Sequence, residues 1–305
     1  MKKLSLLILA LILVFVSCQQ DHIFYDISQE IELNKPSIGG KVVAIKKAGN
    51  SLYAINGMLN YKSKNAKRWS KVQTPAGKIS SVAVGNDKIY ILIGNTVYFA
   101  ALDTNDKILY PWKNVPNKEV SRLFDNQAKG VFCVTEGKLY EMNNDSTDLT
   151  PVENPTLVGV TSEAGVVAGL KVGENDYFFG TTACAVSGSN FYYASGAEIK
   201  YGNGPDPSNT VSTNFSATSM TIFNNNLYVG TNSGAFVASI AGSPTSLDFS
   251  YLSGNAESAF GDREILGIWN FDGKDNFFVS VTSASSSLYD ALWGYDSSLN
   301  KWNLE

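Results

Sequence analysis

Ile79-Ser-Ser-Val82-Ala-Val84, then Gly85-Asn86-Asp87, then Ile89-Tyr-Ile-Leu-Ile93, then Gly94-Asn95, then Val97-Tyr-Phe99: this stretch decides the fold class. Three apolar runs rich in β-branched and aromatic residues are separated by two short turns built from Gly, Asn and Asp. Such runs favour pleated strands, and such turn residues supply the left-handed backbone that a tight hairpin needs. The same order returns at Met220-Thr-Ile-Phe223, Asn224-Asn225-Asn226, Leu227-Tyr-Val229 and Gly234-Ala-Phe236-Val-Ala. Further copies centre on Leu52-Tyr-Ala-Ile55, Val131-Phe-Cys-Val134 and Phe277-Phe-Val279.

The middle strands of these units start near residues 52, 89, 131, 177, 227 and 277, at intervals of 37 to 50 residues. A four-stranded propeller blade takes about 40 to 50 residues. The sequence therefore predicts an all-β chain, a β-propeller of six blades over residues 36–305. The fourth unit has two candidates for its second strand, Tyr177-Phe-Phe179 and Phe191-Tyr-Tyr193. Either a long hairpin or a seventh, degenerate blade accounts for them. A β-sandwich also has regular short strands, but it does not require matched strand–turn–strand units along the whole chain. Two turns resemble known propeller families. Leu292-Trp-Gly-Tyr295-Asp-Ser-Ser-Leu-Asn300-Lys-Trp302 resembles the third-to-fourth strand turn of a kelch blade, and Leu59-Asn-Tyr61-Lys-Ser-Lys-Asn65-Ala-Lys-Arg-Trp69 is a weaker copy, similar also to a degenerate sialidase Asp box. The kelch glycine pair and the full Asp-box consensus are absent. Trp69 and Trp302 read as residues packed between blades.

The N-terminus has another character. Lys2 and Lys3 precede Leu4 to Val16, apolar throughout except for Ser5. That run is shorter than the roughly 20 residues of a membrane span and suits the core of an export signal. It closes on Phe15-Val-Ser-Cys18, which resembles the bacterial lipobox, with Phe15 where leucine is usual. The resemblance implies a lipoprotein: residues 1–17 a signal peptide, Cys18 lipidated as the new N-terminus, and 18–35 a linker. It also implies a place in the cell envelope, on the outer membrane if the cell has one. One acyl chain anchors only marginally, so the multiply acylated cysteine of lipoproteins matters to retention.

Composition narrows the function. The formal charge is −4, and removing Lys2 and Lys3 makes the mature chain more acidic still. Without a basic cluster, no nucleic-acid partner is expected. Cys133 and Cys184 lie in apolar stretches and read as buried free thiols, since a domain this long can bury a core without a disulfide. The single histidine is His22, in the linker, which excludes a Ser-His-Asp site in the folded domain and a two-histidine zinc motif. No phosphate loop or dinucleotide fingerprint appears, and Gly202-Asn-Gly204-Pro-Asp-Pro207 reads as a rigid loop, because proline cannot donate to a phosphate. Asn143 to Asp148 and Asp272 to Asp275 are acidic turns without the ligand order of a calcium loop, so no metal and no cofactor is expected.

The chain has three arginines, Arg68, Arg122 and Arg263. Arg122 opens one predicted inner strand and Asp262-Arg263-Glu264 precedes another, so Arg122, Asp262, Arg263 and Glu264 are the candidate binding residues at the channel mouth. Arg68 falls on an outer strand. The expected role is a non-enzymatic binding or scaffold module for a protein or glycan. The alternatives are a carbohydrate-active enzyme, sialidase-like or of another glycosidase class, and an envelope-assembly component.

Overall fold

The computed structural model describes residues 36–85, 87–115, 119–125, 130–136, 138–143, 148–152, 156–158, 169–172, 176–179, 183–203, 208–242, 246–252, 260–271, 277–282 and 290–305. The regular elements among them are all β-strands. Blade one consists of β1 (Ala44–Ala48), β2 (Ser51–Ile55), β3 (Leu59–Lys62) and β4 (Ser70–Lys71). Blade two is β5 (Ile79–Gly85), β6 (Lys88–Ile93), β7 (Thr96–Leu102) and β8 (Ile108–Asn114). Blade three is β9 (Val120–Asp125), β10 (Val131–Thr135), β11 (Lys138–Met142) and β12 (Leu149–Pro151). Three further strands follow: β13 (Thr156–Val158), β14 (Gly169–Val172) and β15 (Asp176–Phe179). Blade four is β16 (Cys184–Ser187), β17 (Asn190–Ser195), β18 (Glu198–Asn203) and β19 (Asn209–Ser212). Blade five is β20 (Ala217–Phe223), β21 (Asn226–Thr231), β22 (Gly234–Ser239) and β23 (Ser250–Tyr251). Blade six is β24 (Glu264–Asn270), β25 (Phe277–Thr282), β26 (Ala291–Asp296) and β27 (Lys301–Leu304).

Each blade is an antiparallel meander in chain order, and the six stand in a ring: a six-blade β-propeller. The first strand of each blade is innermost. Among these, β1 lies beside β5, β5 beside β9, β16 beside β20 and β20 beside β24. The turn chemistry follows the sequence. Asn224 and Asn225 both take positive φ, 49° and 57°, the backbone of a two-residue hairpin turn that matches strand twist. Inner strands of blades two, three, five and six share an irregularity near their start, with the register slipping at Ile79/Ser81, Val120/Arg122, Ala217/Ser219 and Ile265/Gly267. A bulge adds local twist to the strand that carries it.

The fourth unit corrects the sequence reading. Its second strand is β17, containing Phe191-Tyr-Tyr193, and not Tyr177-Phe-Phe179. The latter stretch forms β15, which joins β13 and β14 in an extension of the blade-three sheet, ordered β12-β11-β10-β9-β15-β14-β13. In the ladder between the extension and β9, Phe179 stands opposite Asp125. Both aromatic runs carry strand propensity, and propensity alone does not say which joins the ring.

The core is divided into slabs between blades. One cluster joins blades one and two around Tyr53, Ile55, Val82 and Ile91. Others join blades two and three, four and five, and five and six. The ring closes between blades six and one, where Trp69, Ile45 and Leu52 meet Trp269, Phe278 and Leu292. Close approach also fixes residue size: a Cβ on Gly85 would stand 2.7 Å from the Gly130 carbonyl carbon, so blades two and three touch backbone to backbone.

All four described strands of blade six come from residues 264–304, and its junction with blade one is made by Glu305. Its main-chain oxygen accepts from Ser37 N at 2.8 Å, and its amide donates to the Leu292 carbonyl at 3.0 Å. Its carboxylate accepts from Trp69 Nε1 at 2.9 Å and pairs with Lys62, whose ammonium lies over the Trp69 and Phe278 rings at 5.7 and 5.5 Å. Trp69 N donates to Ser37 Oγ at 2.8 Å, and a single bridge pairs Gly39 with Ala291.

Candidate functional site

The inner strands of blades one, four, five and six line a cavity of about 310 Å³, with Lys46, Cys184, Thr221, Trp269 and Asn270 among its walls. Its lining groups are held by links between blades. Thr221 Oγ1 of blade five accepts from Asn270 N of blade six at 3.1 Å. Lys46 of blade one pairs with Asp125 of blade three, whose second oxygen accepts from Val84 N of blade two at 2.9 Å. One carboxylate thus ties three consecutive blades, and it is 2% exposed. Burying a charge is costly unless it is paired and hydrogen-bonded, and Asp125 satisfies both conditions.

Cys184 borders the same cavity. Burial pushes its thiol up to about 12, against the opposing pull of the Lys46 charge. A thiol held this way is the inert kind, since the thiolate is the reactive form. Cys133 and Cys184 are both buried and neither is in a disulfide, as the sequence reading expected. Burial likewise raises the hydroxyl of Tyr53, which donates to the Asp106 carbonyl at 2.5 Å and so has a structural partner.

The residues singled out from sequence are placed as follows. Arg122 is the third residue of β9 in blade three, half-buried, opposite Val134. Arg263 is half-buried immediately before β24 in blade six; its amide donates to the Phe260 carbonyl at 3.1 Å, and its carbonyl accepts from Gly234 N at 2.8 Å. Asp262 is exposed, and Glu264 opens β24 opposite Thr282. Arg122 and Arg263 thus stand on blades three and six, three places apart in a ring of six. None of the four residues lines the cavity. Arg68 is exposed just ahead of β4.

Trp69 packs between blades one and six, and Trp302 meets Phe260, Phe277 and Tyr295 edge-on near blade five. Both bear out the packing role read from their turns. Cys18 and the rest of 1–35 lie outside the described residues, as do most of the two acidic turns and 204–207. Among the described residues no three His, Cys, Asp or Glu side chains come together as metal ligands.

The Lys46–Asp125 link went unread in the sequence. Lys46-Lys47 has the look of a solvated pair, and Asp125 precedes Asn126 at a strand end, where acidic residues ordinarily mark turns. Its one available signal was an acidic residue directly after the apolar pair Leu123-Phe124 at the end of the strand.

Residues 4–109 match the model of the TP013X lipoprotein family, spanning the apolar leader, the linker, blade one and most of blade two. An uncharacterized lipoprotein of Treponema pallidum (strain Nichols) is 36% identical over 86 residues, 27% of this chain and 23% of that protein. Among solved structures, the computationally designed Ika8 protein superposes with a TM-score of 0.49 at 9% identity, covering 88% of this chain and 96% of its own. PorZ, described as a bacterial surface component of the type-IX secretion system of Porphyromonas gingivalis, gives 0.29 at 14% identity over 87% of this chain and 35% of its own. A chain of a nidogen/laminin complex gives 0.40 at 8% identity over 70% and 81%. At these scores the solved structures speak to neither function nor partner. The likeness to lipoproteins rests on residues 4–109, and the propeller rests on the strands themselves.

Proposed function

We propose that this chain is a non-enzymatic binding or scaffold module of the cell envelope, tethered by lipid on Cys18 and offering the loops of a rigid ring to a protein or glycan. The observation that carries the reading is the separation of its charged candidates. A catalytic site requires acid, base and charge-stabilising groups converging on one reacting atom. Here Arg122 and Arg263 stand on opposite blades, outside the channel cavity, and the channel's Lys46–Asp125 pair is engaged in joining blades. A ring with structural charges inside leaves its loops as the working surface. Outer-membrane residence fits Gln19 after the lipidated cysteine by analogy.

Two experiments test this. Cys18→Ser should abolish lipid labelling and precursor cleavage; normal processing with unchanged membrane retention would refute the tether. Arg122→Ala with Arg263→Ala should weaken capture of an envelope partner while leaving the melting temperature nearly unchanged, because partly exposed arginines contribute little to folding. Capture at full strength would move the binding surface elsewhere. Hydrolysis of sialosides or other acidic glycans by purified protein, lost in the double variant, would replace the binding reading with an enzymatic one.

A further inference from the structure

The outer strand of blade two differs from its counterparts. β8 has seven residues, whereas β4, β12, β19, β23 and β27 have two to four. The excess comes from a bulge: Phe99 pairs with Lys113 and Ala101 with Leu109, so Tyr110, Pro111 and Trp112 together face Ala100. Trp112 pins the bulge by turning toward blade one, where its Nε1 donates to the Gln73 carbonyl at 2.9 Å and its ring joins the cluster between blades one and two. Leu109 and Tyr110 are left 50% and 55% exposed. Beside them lies a groove of about 290 Å³, walled by Phe99, Ala100, Leu109, Tyr110 and Pro111, with Lys88 and Lys113 also lining it.

We propose that this groove docks a partner polypeptide segment that carries a large apolar side chain between acidic residues. Three features select that occupant. The walls are apolar, and adjacent exposed Leu109 and Tyr110 make a patch suited to an apolar anchor, the usual centre of a binding contact. The charged side chains that line the groove, Lys88 and Lys113, are both positive, so the groove complements carboxylates rather than cations. Pro111 lacks an amide donor and the bulge breaks the ladder, which blocks simple strand addition to β8. The segment is therefore held by side chains rather than by an added strand. This site is separate from the Arg122 and Arg263 surface and does not depend on it.

The test pans the full chain against a random heptapeptide library on phage. Enriched peptides should carry Leu, Ile, Met or Phe flanked by Asp or Glu. Enrichment should fall about tenfold, a change of roughly 1.4 kcal/mol, on Lys88→Glu/Lys113→Glu and separately on Leu109→Asp, with melting temperatures confirming that both variants fold. Arg122→Ala/Arg263→Ala should enrich the same peptides as wild type, so failure of that other surface reads separately. Peptides without the acidic and apolar pattern, or equal enrichment on the groove variants, would overturn the proposal. Groove-dependent retention of uronate or sulfated oligosaccharides in place of peptides would overturn it too, in favour of a glycan.

Discussion

Replacing Asp125 with alanine removes a carboxylate that serves three blades at once. The Val84 amide loses a charge-assisted hydrogen bond of 2.9 Å in a buried setting, and Lys46 loses its counter-charge. A hydrogen bond to a charged group contributes about 1.5–3 kcal/mol. Removing one partner of a fully buried pair costs about 3–5 kcal/mol. Lys46 is 22% exposed and can reach water after the change, so the lower end applies, about 3 kcal/mol. For a domain of this size that is a fall of roughly 6–12 °C in melting temperature. Asp125→Asn keeps an acceptor for Val84 N and should cost less than half as much. Lys46→Met should cost at least as much as Asp125→Ala, because it leaves a carboxylate that is 2% exposed without its counter-charge. The double variant should then cost less than the sum of the two, which a double-mutant cycle by chemical denaturation measures. A melting temperature of Asp125→Ala within 2 °C of wild type, or strict additivity in the cycle, would refute the three-blade link.

Other outcomes follow from the same geometry. Trp69→Ala should destabilise by about 3–5 kcal/mol, as expected for emptying a buried aromatic site, whereas Trp69→Phe should cost about 1 kcal/mol by losing one hydrogen bond and Glu305→Gln more than that, since it also gives up the charge paired with Lys62; a Glu305→Gln melting temperature equal to that of wild type would dismiss the Glu305 junction. A soluble form spanning 22–305 contains only Cys133 and Cys184, and a thiol reagent at pH 8 should label neither until denaturant is added; rapid labelling of folded protein would contradict their burial. Because the folded Cys184 thiol is raised to about 12, its ionisation favours the unfolded chain once pH passes the free-thiol value of about 8.5. Stability should therefore decline from about pH 9 upward by as much as about 1.4 kcal/mol per unit, and Cys184→Ala should flatten that slope in denaturation curves.

The architecture was legible where local chemistry and period agreed. Ile79–Phe99 reads correctly because alternating β-branched and aromatic runs are cut by residues that tolerate positive φ, and Asp87, Gly94, Asn224 and Asn225 all adopt it. The tryptophan turns also read correctly, since Trp69 and Trp302 each follow a third strand and precede or enter a fourth. Blade four failed because two aromatic runs of equal propensity compete, and only ring geometry chooses Phe191-Tyr-Tyr193. The links of the channel were illegible for a related reason. Lys46 and Asp125 are 79 residues apart, and nothing within either segment signals that ring curvature will bring them together. The groove of blade two was likewise hidden, for Ile108–Asn114 reads as one more short strand until its register shows three residues facing one.

The seam between blades six and one has a mechanical meaning. If lipid on Cys18 holds the chain to a membrane, any drag on the ring is delivered through the backbone that arrives at Ser37. The first bonds under load are then those from Ser37 and Ile38 to Glu305, followed by the Gly39–Ala291 bridge. The seam is thus where tension enters the ring: Ser37 Oγ accepts from Trp69 N and Ile38 belongs to the slab between blades six and one, so the load passes at once from the tether into both blades.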